Sequence, residues 1–437
     1  MAWRSRWIVS TRATCSASSE TERGRPQDSI TGRRRIGLGC SPLSSRRFHI
    51  VHIATDPLTA FTLMEGQLAD LKRRGFDVSV ITAPGPLLDA VQQREQVRAL
   101  GLPMRRDPAP SADVLSLFRL VRLLRRLKPD LVMAGTPKAG LLGVIAARLA
   151  RVPVVVYLLR GLRFEGARGS KRLVLIATEH IAGSLSHRVF ANSQSLRQKF
   201  VELGCASAQK TWVPGAGTSN GVDVERFRPT EQSRLWASSE RARLGIPGAA
   251  IVIGFVGRFV RDKGLIELLE AFRIAAAQVP ELWLLLIGDF DATDPVPEPT
   301  RRELEQHARI RLTGFVREPA PYYGLMDIFG FPSLREGFPN APLEAAAAGL
   351  PAVAFAATGT VDAIVHGETG YLAPLQDIRG FADGLVAYAV DPELRRRVGR
   401  AAQERVARLF SRETVWQNLV DEYVRLLSAA GLASDQE

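Results

Sequence analysis

Short apolar runs alternate with longer stretches of helical spacing along most of this chain, and that alternation restricts the fold more than any other feature. In the first half, residues 48–54, 77–82, 131–134, 154–158 and 188–191 read as strands; in the second, 251–256, 282–287, 310–313, 328–331, 352–355 and 370–373 do. Strands joined through helices run parallel, and a parallel sheet covered on both faces needs strands that are apolar on both sides. The expected class is therefore α/β. A length of 437 residues is too great for one ordinary core. The Gly-, Ser- and Asn-rich stretch 215–229 marks the join between an N-terminal domain over 48–228 and a C-terminal domain over 229–410. A last helix in 411–437 carries Val415, Leu419, Tyr423 and Leu426 on one face and is expected to cross back onto the first domain.

Residues 1–47 have no hydrophobic period and ten Arg against three acidic residues, so they read as a disordered basic leader. The leader lacks the continuous apolar stretch of a secretory signal; a transit peptide and a start codon placed too early both account for it, the second being favoured. Two of the three cysteines fall there, which rules out a disulfide scaffold and fits a reducing compartment. No run is long and apolar enough to be a convincing membrane span. Charge is divided unevenly: 48–228 carry +12 and 229–437 carry −6. The basic half calls for an anionic partner. Nucleic-acid motifs are missing, so a membrane surface or a pyrophosphate-bearing ligand fits better. Residues 114–128 form a basic amphipathic helix of the kind that lies on anionic lipid, or a crossover helix with a solvated basic face.

Chemistry concentrates in 336–344, Glu-Gly-Phe-Pro-Asn-Ala-Pro-Leu-Glu, where the apolar strand 328–331 gives way to an alanine-rich helix. Open α/β sheets bind ligands beyond the carboxyl ends of their strands, and free N–H groups at a helix start hold oxyanions. Pro342 suits the first turn of a helix that stops at Gly349, which puts Glu336 in the loop and Glu344 in the first turn. A carboxylate there accepts from ligand hydroxyls; a Glu in a first turn also simply complements the helix dipole.

Only seven of the 58 basic residues are Lys, and Lys263 is the only one after Lys210. It closes a segment in which a buried strand, 251–256, runs into Gly257, Arg258 and, five residues on, Lys263-Gly264. A planar guanidinium and a compact ammonium beside a glycine turn have the makeup of a diphosphate clamp, though a lysine at an exposed turn is also ordinary.

These segments carry a resemblance. Gly257-Arg258 with Lys263-Gly264, Leu285-Leu286-Ile287-Gly288-Asp289, and Glu336 to Glu344 followed by Ala345-Ala346-Ala347-Ala348-Gly349, in that order, resemble the donor domain of family 4 retaining glycosyltransferases. The first half is similar to the branch that assembles surface polysaccharides and lipid-linked oligosaccharides, through Thr136-Pro137-Lys138, Arg160-Gly161-Leu162-Arg163-Phe164-Glu165, Ala191-Asn192-Ser193 and Asn220-Gly221-Val222-Asp223. The resemblance spans about residues 48–430 and implies a GT-B architecture, two facing Rossmann-like domains with parallel sheets and an interdomain cleft. It implies that Arg258 and Lys263 neutralise the departing nucleoside diphosphate, with Glu336, Gly337, Phe338, Pro339 and Asn340 at the donor sugar and its β-phosphate. Glu344 would meet the ribose, and Gly257, Phe315 and Val316 would complete the donor site. It further implies a metal-independent transfer without cofactor, from a nucleotide sugar, UDP-linked by expectation, to a polyprenyl-diphosphate saccharide. Capsule, O-antigen or exopolysaccharide assembly is the setting, at the cytoplasmic face of the plasma membrane and peripheral to it.

The chain departs from the family where many members place a histidine after the strand at 154–159; Arg160-Gly161 stand there, and Met133 and Gly135 replace two histidines common in the narrower branch. Lys138, Arg160 and Arg163 are therefore expected at the acceptor pyrophosphate, and Glu165 near the incoming hydroxyl. A nicotinamide-linked dehydrogenase is disfavoured because 53–58 has no glycine turn. A sugar-nucleotide epimerase, a phosphorylase and a non-catalytic scaffold share the architecture, and the four clamp and carboxylate residues argue against the scaffold.

Overall fold

A computed structural model describes residues 46–107 and 109–432; all but the last two positions of the leader lie outside these residues. The described residues from Phe48 onward form one compact unit built on two parallel sheets. The first sheet has seven strands in the order β3-β2-β1-β4-β5-β6-β7. They are β1 (His49–Ile53), β2 (Asp77–Thr82), β3 (Arg98–Gly101), β4 (Leu131–Gly135), β5 (Val154–Leu159), β6 (Arg188–Ala191) and β7 (Thr211–Trp212). The second has six, β10-β9-β8-β11-β12-β13. They are β8 (Ile251–Val256), β9 (Leu282–Ile287), β10 (Ile310–Leu312), β11 (Ile328–Phe331), β12 (Ala352–Phe355) and β13 (Gly370–Ala373).

The expected strands are all present, and two more appear. β3 and β7 are the outer strands of the first sheet, and neither reads as a strand in sequence because one is half exposed and the other only two residues long. Central strands are legible for the opposite reason: β5 is buried along its whole length, as both faces of a covered parallel sheet require.

Eight helices position the site and the surfaces around it: α1 (Pro110–Leu127), α2 (Pro137–Leu149), α3 (Gly169–Leu185), α4 (Gln194–Glu202), α5 (Leu265–Gln278), α6 (Asn340–Ala347), α7 (Thr360–Ala363) and α8 (Arg412–Ala429). The last, capped by the Ser411 hydroxyl accepting from Thr414 N–H, buries Val415, Leu419, Tyr423 and Leu427 in the core beneath the first sheet. The Tyr423 ring stacks on Phe190 of β6. Leu426, expected on the same face, is only partly buried, and Leu427 takes the deeper place. The chain passes between the sheets near Val222 and again near Ser411. These crossings are hydrogen-bonded to each other, Val222 N–H to Phe410 O at 2.8 Å and Arg412 N–H to Val222 O at 3.0 Å.

One expected boundary moves. Helix α6 begins at Asn340 behind Pro339, so Glu344 lies beyond the first turn and Pro342 is its third residue. The macrodipole thus has little to do with Glu344, because its effect falls off within the first turn.

Candidate active site

Strand order reverses between β1 and β4 and again between β8 and β11. At such a reversal neighbouring crossover helices leave on opposite faces, and a crevice opens beyond the strand ends. The two crevices contribute to one cavity of about 550 Å³. Thr136 and Pro137, after β4, line it from the first half, and Arg258, Lys263, Arg335 and Glu336, after β8 and β11, from the second.

The clamp residues meet there. Lys263 Nζ pairs with Glu336 Oε1, and that oxygen also accepts from the Ser333 hydroxyl at 2.6 Å. Arg258 Nη1 donates to Asp291 Oδ2 at 3.0 Å. Burial would raise the Asp291 carboxyl, but bonds from Thr293 and Arg258 hold it below the usual carboxylate range, so the guanidinium has an ionised partner. Gly264, in the left-handed region at φ +74°, turns the chain against the Pro332 carbonyl and starts α5. A Cβ at Gly264 would sit 2.0 Å from that oxygen, which explains the glycine after Lys263.

Two residues that sequence reasoning missed complete the cavity wall. Arg335 pairs with Asp262 and donates through Nη1 to the Arg163 carbonyl at 3.3 Å, reaching from the second half to the first. Its position next to Glu336 was the available signal. Arg106, in the loop after β3, lines the same cavity from the first half, where only the general excess of basic charge pointed to it.

Glu344 stands apart from Glu336. It lines a separate cavity of about 100 Å³ with Asn340, Glu65, Asp223, Arg226 and Arg412. Tyr323 OH donates to Glu344 Oε2 at 2.7 Å. Burial pushes the Glu344 carboxyl up, against the pull of that bond and of the Arg226 and Arg412 charges. The two glutamates eight apart therefore serve two adjoining spaces. Of the other donor candidates, Gly337 lines the larger cavity, whereas Gly257, Phe315, Val316, Phe338 and Pro339 line neither. Phe338 is buried in the core, its ring 5.4 Å from that of Phe410, so only its backbone is left for a ligand. Val316 packs against the same core.

The acceptor candidates separate as well. Arg160 and Arg163 line the larger cavity. Arg160 Nη1 donates to Asn220 Oδ1 at 3.1 Å, while its Nε–H has no acceptor among the described residues. Burial brings its pKa down to about 10, which leaves it charged. Behind it, burial and then the Arg160 charge push His52 down to about 4, so this imidazole is neutral. Lys138 does not face the cavity: its ammonium is held by both oxygens of Asp113, at 2.7 and 2.9 Å. Glu165 is engaged elsewhere too, accepting from Lys199 at 2.6 Å and from the Thr358 hydroxyl at 2.9 Å. Its carboxylate joins the two halves instead of facing an incoming hydroxyl.

Further bonds close the halves on the same side. The Asp362 carboxylate, on α7, accepts from Gln194 N–H at 3.1 Å and caps α4 from across the cleft. The Ser193 hydroxyl donates to Gly337 O at 2.8 Å, and Gly337 and Gly161 approach backbone to backbone. Among the described residues, no group of three or more His, Cys, Asp or Glu side chains is placed to hold a metal ion.

The family model described as glycosyl transferases group 1 matches residues 237–405, and that of the glycosyl transferase 4-like domain matches 62–216. The capsular polysaccharide biosynthesis glycosyltransferase CapM of Staphylococcus aureus is 34% identical over 376 residues, covering 86% of this chain and 96% of its own. The Escherichia coli UDP-Gal:alpha-D-GlcNAc-diphosphoundecaprenol alpha-1,3-galactosyltransferase is 29% identical, covering 80% of this chain and 89% of its own. Among solved structures, Anabaena HepE in complex with UDP and glucose superposes with a TM-score of 0.72 at 21% identity, over 87% of this chain and all of that one.

Proposed function

Because the chain belongs to the family 4 glycosyltransferases of surface-polysaccharide biosynthesis, with the GT-B fold, we propose that it transfers a hexosyl or N-acetylhexosaminyl group from a UDP-sugar to a polyprenyl-diphosphate-linked saccharide, with retention. The observation that carries this reading is the single cavity where Arg258, Lys263 and Glu336 face Arg160 and Arg163. Cations of the second half suit a donor diphosphate, and those of the first half suit a second diphosphate on the acceptor. UDP in the Anabaena structure and the diphosphoundecaprenol acceptor in the name of the E. coli relative support these two assignments.

As the glycosidic bond breaks, negative charge gathers on the β-phosphate oxygen. Arg258 and Lys263 are fixed where that charge grows, so they stabilise the transition state more than the bound donor. Lys263 is already paired with Glu336, and a diphosphate arriving beside it shares an ammonium whose position is set in advance. In front-face attack the departing phosphate oxygen takes the acceptor hydroxyl's proton, and the new bond forms on the face the leaving group vacates. Glu336 then orients donor-sugar hydroxyls, Glu344 the ribose, and the protein cations take the charge that a metal would otherwise neutralise. No helix among the described residues is long and apolar enough to cross a membrane. The reading places the enzyme at the cytoplasmic membrane surface as a peripheral protein.

The test is a panel of nucleotide sugars with the purified chain, with and without EDTA, beside Glu336→Ala and Lys263→Ala. UDP release that survives EDTA and is lost in both variants supports the reading. Failure of every nucleotide sugar to bind refutes it.

A further inference from the structure

We propose that Asp291 is a positioning residue for the donor clamp: it holds the Arg258 guanidinium where the charge of the departing diphosphate grows, without itself touching a ligand. Arg258 follows β8 and lines the large cavity, whereas Asp291, in the loop after β9, is only 12% exposed and is not part of the cavity wall. Its two carboxylate oxygens have separate duties. Oδ1 accepts from Thr293 N–H at 2.9 Å, which fixes the carboxylate through a turn of its own loop. Oδ2 accepts from Arg258 Nη1 at 3.0 Å and leaves Nη2 and Nε for a ligand.

The two loops are joined on both sides of Arg258. Before it, the Gly257 carbonyl lies so close to Gly288 that a Cβ there would be 1.8 Å from the oxygen. After it, Phe259 N–H donates to Asp289 O at 2.9 Å, and Asp291 N–H donates to Phe259 O at 3.3 Å. The buried Phe259 ring meets that of Phe290 edge-on, with centroids 5.1 Å apart. All of these contacts lie within the second half, so the spacing of guanidinium and carboxylate is set whatever the first half does. A free arginine side chain would have to be ordered by each arriving donor, and Asp291 orders this one in advance.

This role differs from that of an ordinary surface pair. Arg258 is 38% exposed, and a pair so open to water adds little to stability. A carboxylate beside the cation also opposes the attraction between that cation and a diphosphate, so its benefit is geometric and is felt in the transition state, not in ground-state binding. The inference rests on the proposed function in placing the donor diphosphate at Arg258.

The experiment is Asp291→Asn, which keeps the size of the side chain and has one acceptor oxygen to offer to Thr293 or to Arg258, not to both. The assay is UDP release from UDP-glucose, UDP-galactose and UDP-N-acetylglucosamine, with water as acceptor. In the variant kcat should fall about 10- to 100-fold while the donor KM stays level or falls, and UDP binding by calorimetry should be no weaker. In an Arg258→Gln background the same substitution should lower kcat less than about two-fold further, because Asp291 then has nothing to hold. Tm should stay within about 2 °C of wild type. A kcat within about three-fold of wild type overturns the proposal, as does an undiminished loss in the Arg258→Gln background. A loss of kcat that comes with early melting overturns it too, since Asp291 would then hold the loop and not the guanidinium. A crystal structure of Asp291→Asn tests the same point without turnover: an Arg258 side chain that is displaced or unordered supports the inference, and a guanidinium that keeps its place overturns it. A wild-type chain that binds neither UDP nor any of the three donors would sink the functional reading, while that crystal structure would still decide whether Asp291 positions Arg258.

Discussion

Replacing Gly337 by Ala tests whether the halves must close where they do. A Cβ built at Gly337 falls 1.7 Å from Arg160 O, 2.5 Å from Arg160 C and 3.1 Å from Gly161 N. Carbon and oxygen do not approach closer than about 3 Å, so the two segments must part by about 1.3 Å. Backbone stands on both sides, and no rotamer change relieves the clash. The Ser193 hydroxyl bond to Gly337 O, 2.8 Å long, would stretch with it, at a cost of about 1 kcal/mol. Neither sheet core is touched, so the larger effect falls on function. Arg160 and Arg163 on one wall would move relative to Arg258, Lys263 and Glu336 on the other, and a misplacement of about 1 Å costs on the order of 100-fold in rate. The assay is steady-state UDP release with acceptor present, beside Gly248→Ala, where nothing lies within 4 Å of the new methyl group. A Gly337→Ala enzyme with kcat within about three-fold of wild type would refute the claim that this contact sets the reacting geometry.

Glu344→Ala should raise the donor KM by about 10-fold with kcat little changed, because a hydrogen bond between this carboxyl group and the ribose is made equally in ground and transition states; a fall in kcat alone would contradict the ribose assignment. Asp362→Ala removes a cap that α4 receives from the other half, and should cost about 1 kcal/mol and speed proteolysis between the halves; an unchanged digestion rate argues that this contact does not hold the halves together. Glu179 accepts from Tyr157 OH at 2.7 Å, and burial pushes its pKa up to about 7, against the effect of that bond. The native state thus holds this proton more tightly than the unfolded chain, so the stability it contributes is full below the ordinary carboxylate pKa and is lost as pH rises through about 7. Glu179→Gln keeps an acceptor for Tyr157 and should remove a pH-dependent term on the order of 3 kcal/mol, read as a smaller fall in Tm between about pH 5 and pH 8. Equal falls in both proteins would show that another group titrates.

The α/β class, the set of central strands and the loops of the second half that line the large cavity could be read from residue order alone. Those properties are local: a strand covered on both faces must be apolar throughout, and a glycine such as Gly264 is needed wherever the backbone turns against another strand end. That Arg258, Lys263 and Glu336 line one cavity was legible because loops that follow strands in a parallel sheet gather at one edge. The remaining assignments came from long-range packing. Lys138 and Arg106 are both cations of a basic half, yet Asp113 holds the first while the second lines the cavity. Glu165 follows two arginines expected at the acceptor and is taken by Lys199 and Thr358, residues distant in the chain. Phe338 lies between Gly337 and Asn340, each of which lines a cavity, and turns into the core. Each of these outcomes depends on which distant element lies within reach of a side chain, and a long side chain chooses among partners that only the folded arrangement of the two halves brings close.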